Sequence, residues 1–235
     1  MISGITTSIE RIHFIIQLIK KKNSAQKAKD TVFVFCYTSP MNDTVSLLRQ
    51  SGALLEGHFL LSSGRHGDRY FQCARLLEYP DRAAAALSGV AERLRADIKA
   101  GKLQIDAIVG PAMGGIIVAY ELGRQLGLPA FFTERDETGA MTLRRGFEVK
   151  PGQNLLIAED VVTTAKSSGE SARALEERGG RIAALACIVD RRVPGIELSW
   201  PFYPACRVDA ANWEAGDCEL CKKGIPLVKP GSRKF

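Results

Sequence analysis

The sequence predicts an α/β protein with a central parallel sheet covered by helices on both faces. Three observations carry this. Four apolar runs, Ile105–Val109, Ala130–Thr133, Asn154–Ala158 and Arg181–Val189, have the length of buried strands. Segments with helical spacing fall between them, Ile116–Leu126 and Lys166–Arg178 being the clearest. The third run ends in two adjacent carboxylates, Glu159 and Asp160, at the strand end where open parallel sheets bind ligands.

In chain order, residues 1–40 read differently from the rest. Ile12–Ile19 suits a short helix, Lys20–Asp30 is polar and basic, and Thr31–Tyr37 is a short β-like run. Met41 looks like a natural start, so residues 1–40 are expected to be an appended segment and residues 41–235 one domain. A helix should open at an Asn42 or Asp43 cap, bury Val45, Leu47 and Leu48, and stop near Gly52. Two strands, Gly57–Leu61 and Arg69–Cys73, flank a turn at Ser62-Ser63-Gly64. Pro80-Asp81 then starts an Ala-rich helix running to Lys99, with Ala84, Leu87, Val90, Ala91 and Leu94 at helical spacing. Between Glu137 and Lys150 the alternation of strand and helix breaks for a loop or hairpin.

Composition excludes several classes. Apolar residues make up 46% and charged residues 25%, ordinary for a globular chain. No run of 18 apolar residues occurs, which speaks against an ordinary membrane-spanning helix, and the N-terminal stretch makes a poor signal peptide. The net charge of +6 is uneven: residues 1–40 contribute +4 and the other 195 only +2, which argues against a nucleic-acid partner for the body. The six cysteines come without a secretory signal, so a reducing cytoplasm is expected. Cys218-x-x-Cys221 is the one close pair, and Cys206 and the three histidines (His13, His58, His66) lie far off in sequence. A single CxxC reads as a surface turn rather than a metal or redox site.

The richest chemistry lies in Asn154–Glu170. A buried strand ends in Glu159-Asp160, and a hydroxyl-rich turn with Thr163, Thr164, Ser167 and Ser168 leads into a helix. Open N–H groups at a helix start suit a phosphate, while paired acids suit sugar hydroxyls, so together they describe a cradle for a ribose 5-phosphate. The plainer account has Ser167 capping the helix and Glu170 closing a capping box; it leaves the paired acids unexplained. The spacing of a P-loop is absent.

This stretch resembles the phosphoribosyl-diphosphate signature of the type I phosphoribosyltransferases. Gly57–Gly64 followed by Asp68-Arg69-Tyr70-Phe71 looks like the N-terminal hood of the orotate phosphoribosyltransferases. Gly110-Pro111-Ala112-Met113-Gly114-Gly115 resembles their diphosphate-binding loop, Phe132–Arg135 the strand before their mobile loop, and Cys187–Arg191 the strand whose arginine meets the orotate carboxylate. The ordered match runs from about Met41 to Lys234 and leaves residues 1–40 without a counterpart.

The resemblance implies a type I phosphoribosyltransferase fold, a central parallel sheet flanked by helices with a small N-terminal hood. It implies transfer of ribose 5-phosphate from phosphoribosyl diphosphate to orotate in pyrimidine synthesis. Mg²⁺ would be held mainly through substrate oxygens, and homodimers would share their active sites. Glu159 and Asp160 would hold the ribose hydroxyls, and Val161, Val162, Thr163, Thr164, Ala165, Lys166 and Ser167 would wrap the 5-phosphate. Thr163 and Arg191 would contact orotate, under the Tyr70-Phe71 pair. The two aromatics are also readable as plain core, and Arg192 could take the place of Arg191 if the register moved by one.

The sequence departs from better-known members in three places. Gly114 and Ser62 stand where they have lysines, and Asp136–Phe147 lacks their loop lysines and histidine, offering Arg144 and Arg145 beyond Arg135. Ala165-Lys166 replaces glycines, with Lys166 either restoring charge or simply solvated. Two other readings share the cradle, a purine or xanthine phosphoribosyltransferase and a non-catalytic sensor of phosphoribosyl diphosphate.

Overall fold

The computed structural model describes residues 44–61, 63–192 and 195–230. The expectations for residues 1–40, for the Asn42 or Asp43 cap and for Ser62 lie outside the described residues. The described residues all fall within one compact unit.

Helix α1 (Thr44–Gln50) buries Leu47 and Leu48 and stops at Gly52, whose φ of +67° few other residues adopt. The hood follows. Strands β1 (Leu54–Leu60) and β2 (His66–Phe71) pair antiparallel, and a short α2 (Ala74–Leu77) leads to the long α3 (Pro80–Lys99). Pro80 sits in the first turn of α3, where its missing N–H has no helical partner to lose. The body then alternates as expected: β3 (Ala107–Pro111), α4 (Gly114–Leu126), β4 (Ala130–Arg135), a two-residue β5 (Met141–Thr142), β6 (Asn154–Val162), α5 (Lys166–Glu176) and β7 (Arg181–Asp190). Strand β8 (Phe202–Arg207) completes a six-stranded sheet of order β5-β4-β3-β6-β7-β8, parallel except for the β4–β5 hairpin. A two-residue β9 (Asn212–Trp213) returns to the hood and pairs with β2.

Strand alternation divides the core between the two faces. Ile108, Leu156, Ala158, Ala184 and Ile188 pack with Leu87, Val90 and Leu94 of α3 and Val118 and Leu122 of α4. The intervening Val109, Leu155, Ile157, Leu185 and Cys187 pack with Ala172 and Leu175 of α5. Leu156 is fully buried in the centre of the sheet, so truncating it to Ala should cost about 2–5 kcal/mol.

Three sequence expectations need correction. Strand β8 adds to the four expected strands; its residues are only half-buried and Pro204 interrupts the run, so no apolar pattern marks it. Strand β6 does not end at Glu159 and Asp160 but continues through them to Val162. The Cys218-x-x-Cys221 pair is no free surface turn: Cys218 is fully buried with its sulfur 3.3 Å from Nε2 of His58. No described helix is long and apolar enough to cross a membrane.

Candidate active site

The site forms at the carboxyl ends of β3, β4, β6 and β7. Close approach of the β3–α4 loop to β6 is possible only because glycines stand there. A Cβ on Gly110 would meet the Gly115 carbonyl oxygen at 2.0 Å, and one on Gly115 would meet the Ala158 carbonyl oxygen at 2.7 Å. At Gly114 a Cβ would fall 2.3 Å from a carboxylate oxygen of Asp160. Any side chain at this position would compete with the Asp160 carboxylate for the same room.

Glu159 is 8% exposed and accepts a hydrogen bond from the Ser168 hydroxyl at 3.3 Å. Burial, reinforced by the charge of Asp160, pushes its carboxyl up to about 8. Asp160 is also raised by burial, opposed by the Val161 N–H, which donates to its Oδ1 at 2.9 Å. Two adjacent acids, Glu159 buried and Asp160 half-buried, thus resist ionising together without a ligand.

After Val162 the chain turns through Thr163, Thr164 and Ala165. Ala165 adopts φ 56°, ψ 22°, immediately before α5, and makes no side-chain cap. The expected cap by Ser167 and capping box by Glu170 are therefore absent. Ser167 lies inside the helix, and Glu170 instead accepts from Arg135 at 2.5 Å and faces Lys166 at 4.0 Å. The N–H groups at the start of α5 point toward the turn without a side-chain cap, a ready anion seat. Lys166 is exposed, running along its own helix toward Glu170. A buried hydrogen bond of 2.7 Å between the hydroxyls of Thr133 and Ser171 fixes α5 against β4.

Across the cleft, Arg191 follows β7, its N–H donating to the Val162 carbonyl oxygen at 2.9 Å. Its guanidinium carbon lies 5.8 Å from the Phe71 ring centroid, and it makes no ion pair among the described residues. Burial lowers its pKa, and the nearby Asp68 charge acts against that. Asp68 Oδ1 is buried with no hydrogen-bond partner. Arg192 is committed elsewhere: it forks onto Asp190 at 2.9 and 3.0 Å and stacks on Phe202. Of the two arginines, only Arg191 faces the hood. The structure also separates the aromatic pair. Strand alternation sends Phe71 to Arg191, while Tyr70 packs against Phe59 with ring centroids 6.0 Å apart.

The segment after β4 is a hairpin closed over Asp136, whose Oδ1 accepts from the Thr138 and Ala140 N–H groups. Beyond it Leu143 is buried, and Phe147 packs on Phe131 and Phe132. Arg145 forks onto Glu134 at 2.8 and 3.0 Å, and Arg144 is exposed. Arg135 donates to the Gly139 carbonyl oxygen at 2.6 Å as well as to Glu170. None of these three arginines pairs with Glu159 or Asp160. Sequence reasoning placed Ser168 in the turn but missed its hydrogen bond to Glu159, and it missed the Thr133–Ser171 contact; only a fold reveals these pairings.

A parallel sheet with paired acids and an open anion turn at one strand end defines the phosphoribosyltransferase class of α/β proteins. The family model of the phosphoribosyl transferase domain matches residues 78–216. A curated orotate phosphoribosyltransferase of Heliobacterium modesticaldum is 46% identical over 192 residues, covering 82% of this chain and 98% of that protein. The chain belongs to the orotate phosphoribosyltransferase family. Among solved structures, Mycobacterium tuberculosis orotate phosphoribosyltransferase in complex with inorganic phosphate is 25% identical. Its TM-score is 0.55, and the match covers 72% of this chain and 96% of that one. Leishmania donovani UMP synthase shares the fold at a TM-score of 0.59 and 22% identity, over 70% of this chain and only 36% of that longer one.

Proposed function

We infer that this chain transfers the ribose 5-phosphate of phosphoribosyl diphosphate to orotate, giving orotidine 5′-phosphate and diphosphate. The observation that carries it is the 46% identity to a curated orotate phosphoribosyltransferase along nearly its whole length. The strand-end geometry agrees with that chemistry. In the reaction the orotate N1–C1′ bond forms as the C1′–diphosphate oxygen bond breaks. The electron pair leaves on diphosphate, and the N1 proton is released.

Each residue then has a physical task. Glu159 and Asp160 would bind the ribose hydroxyls and so fix C1′ between its two partners. The turn from Val161 through Val162, Thr163, Thr164, Ala165 and Lys166 to Ser167 would seat the 5-phosphate on N–H groups and hydroxyls. Arg191 would fork onto the orotate carboxylate with Phe71 against the pyrimidine and Thr163 at its edge; Tyr70 would support the hood from the other face. Arg135, Arg144 and Arg145 would stabilise charge on departing diphosphate, with Arg145 leaving Glu134 to do so.

The donor set suits Mg²⁺ held chiefly through substrate. Glu159 and Asp160 bring two carboxylates to the strand end, and Mg²⁺ is usually held by one or two carboxylates together with substrate phosphates. When bound it would supply positive charge to the diphosphate. We further propose a homodimer in which the loop arginines complete the partner's site, a cytoplasmic location, and residues 41–235 as the catalytic body. Measuring phosphoribosyl diphosphate consumption with orotate, uracil, hypoxanthine and xanthine in turn tests the substrate. Turnover with orotate alone is expected; turnover with a purine base, or with none, would overturn the reading.

A further inference from the structure

Four side chains from distant parts of the sequence converge in the hood: His58 of β1, His66 of β2, Cys218 just before the short helix α6 (Glu219–Lys222), and Cys221 within that helix. One nitrogen or sulfur from each lies within 4.8 Å of all the others. His58 Nε2 is 3.0 Å from His66 Nδ1, 3.3 Å from the Cys218 sulfur and 3.7 Å from the Cys221 sulfur. The Cys221 sulfur is 3.3 Å from His66 Nδ1. Around a tetrahedral zinc with Zn–N near 2.0–2.1 Å and Zn–S near 2.3 Å, ligand atoms would sit roughly 3.3–3.8 Å apart. The four atoms already stand close to those separations.

A second feature orients one ligand independently. His58 Nδ1 is 2.7 Å from the Ile225 carbonyl oxygen. A carbonyl only accepts, so Nδ1 carries the proton and the Nε2 lone pair points into the cluster. A backbone carbonyl holding the outer nitrogen of a histidine is the usual outer support of a metal ligand. Three of the four residues are buried, and Cys206, on β8, is not among them.

We propose that His58, His66, Cys218 and Cys221 form a structural zinc site with all four positions filled by protein. Two thiolates and two imidazoles in a closed tetrahedron select Zn²⁺ over the hard Mg²⁺ of phosphate chemistry. The site ties the chain's end to the hood. Around it, Leu60 N–H donates to the Val228 carbonyl oxygen and Val228 N–H to that of His58, both at 2.8 Å, while β9 pairs with β2. The hood's short strands offer little core of their own, and small units of this kind commonly rely on a metal. The staple also fixes β2, which carries Phe71 toward Arg191.

The test uses the full chain without an affinity tag, purified from zinc-supplemented cells without chelators. Elemental analysis should find about one zinc per chain. Replacing that zinc with Co²⁺ should produce the strong visible bands of tetrahedral cobalt and a thiolate-to-cobalt charge-transfer band. Cys218→Ser/Cys221→Ser should abolish both signals, and Cys206→Ser should leave them unchanged. Because the cobalt spectrum is read on the unaltered chain, the result holds even if the double variant does not fold. A chain without zinc whose cobalt spectrum is weak and octahedral overturns the proposal. So does a Cys218–Cys221 disulfide that binds no cobalt once reduced.

Discussion

The guanidinium of Arg191 lies over the ring of Phe71, 5.8 Å from carbon to centroid, joining the end of β7 to the hood. Its neighbour Arg192 is spent on Asp190, so the two adjacent arginines differ entirely in what they can reach. Arg191→Lys keeps the charge and loses the planar fork that matches a carboxylate. The Michaelis constant for orotate should rise well beyond that for phosphoribosyl diphosphate in steady-state kinetics. Equal rises in both would make Arg191 a structural residue.

Glu159 supplies a pH signature. Its carboxyl is raised from 4.5 to about 8 in the folded chain, so the folded state holds a proton that the unfolded state has released. That contribution to stability is whole below pH 4.5 and is lost as pH rises through about 8. In ligand-free protein, Glu159→Gln should therefore flatten the fall in melting temperature across this range. An unchanged fall would mean that Glu159 is ionised in the folded chain.

A shared active site is testable by subunit exchange. Asp160→Asn and Arg144→Ala/Arg145→Ala should each lose most of their activity alone. In a mixed dimer one site is doubly damaged and the other intact, and random pairing makes about half the dimers mixed, so about a quarter of wild-type activity should return. No recovery would show that the loop serves its own subunit, as the present pairing of Arg145 with Glu134 permits.

Much of this arrangement is readable from local pattern, and the exceptions share a cause. Apolar runs locate β3, β4, β6 and β7 because buried parallel strands are apolar on both faces. Glu159-Asp160 and the hydroxyl-rich turn stand out because their chemistry is contiguous. Strand β8 is hidden because an edge strand needs less burial, and Pro204 masks its pattern. The separation of Tyr70 from Phe71 follows once β2 is known to be a strand, since neighbours on a strand face opposite ways. Capping by Ser167 fails because Ala165 takes a left-handed turn that begins the helix earlier. The His58, His66, Cys218 and Cys221 cluster depends on two segments about 150 residues apart meeting in the hood, which no spacing rule reveals.

The central claim is that the paired acids at the end of β6 read the ribose of phosphoribosyl diphosphate. Asp160→Ala removes one of them while leaving the turn and α5 in place. A hydrogen bond to a charged group is worth about 1.5–3 kcal/mol, so kcat/KM for phosphoribosyl diphosphate should fall roughly ten- to a hundredfold. The melting temperature should not drop, because the surroundings of the half-buried Asp160 disfavour its charge. A folded Asp160→Ala variant with near-normal kcat/KM would contradict the account.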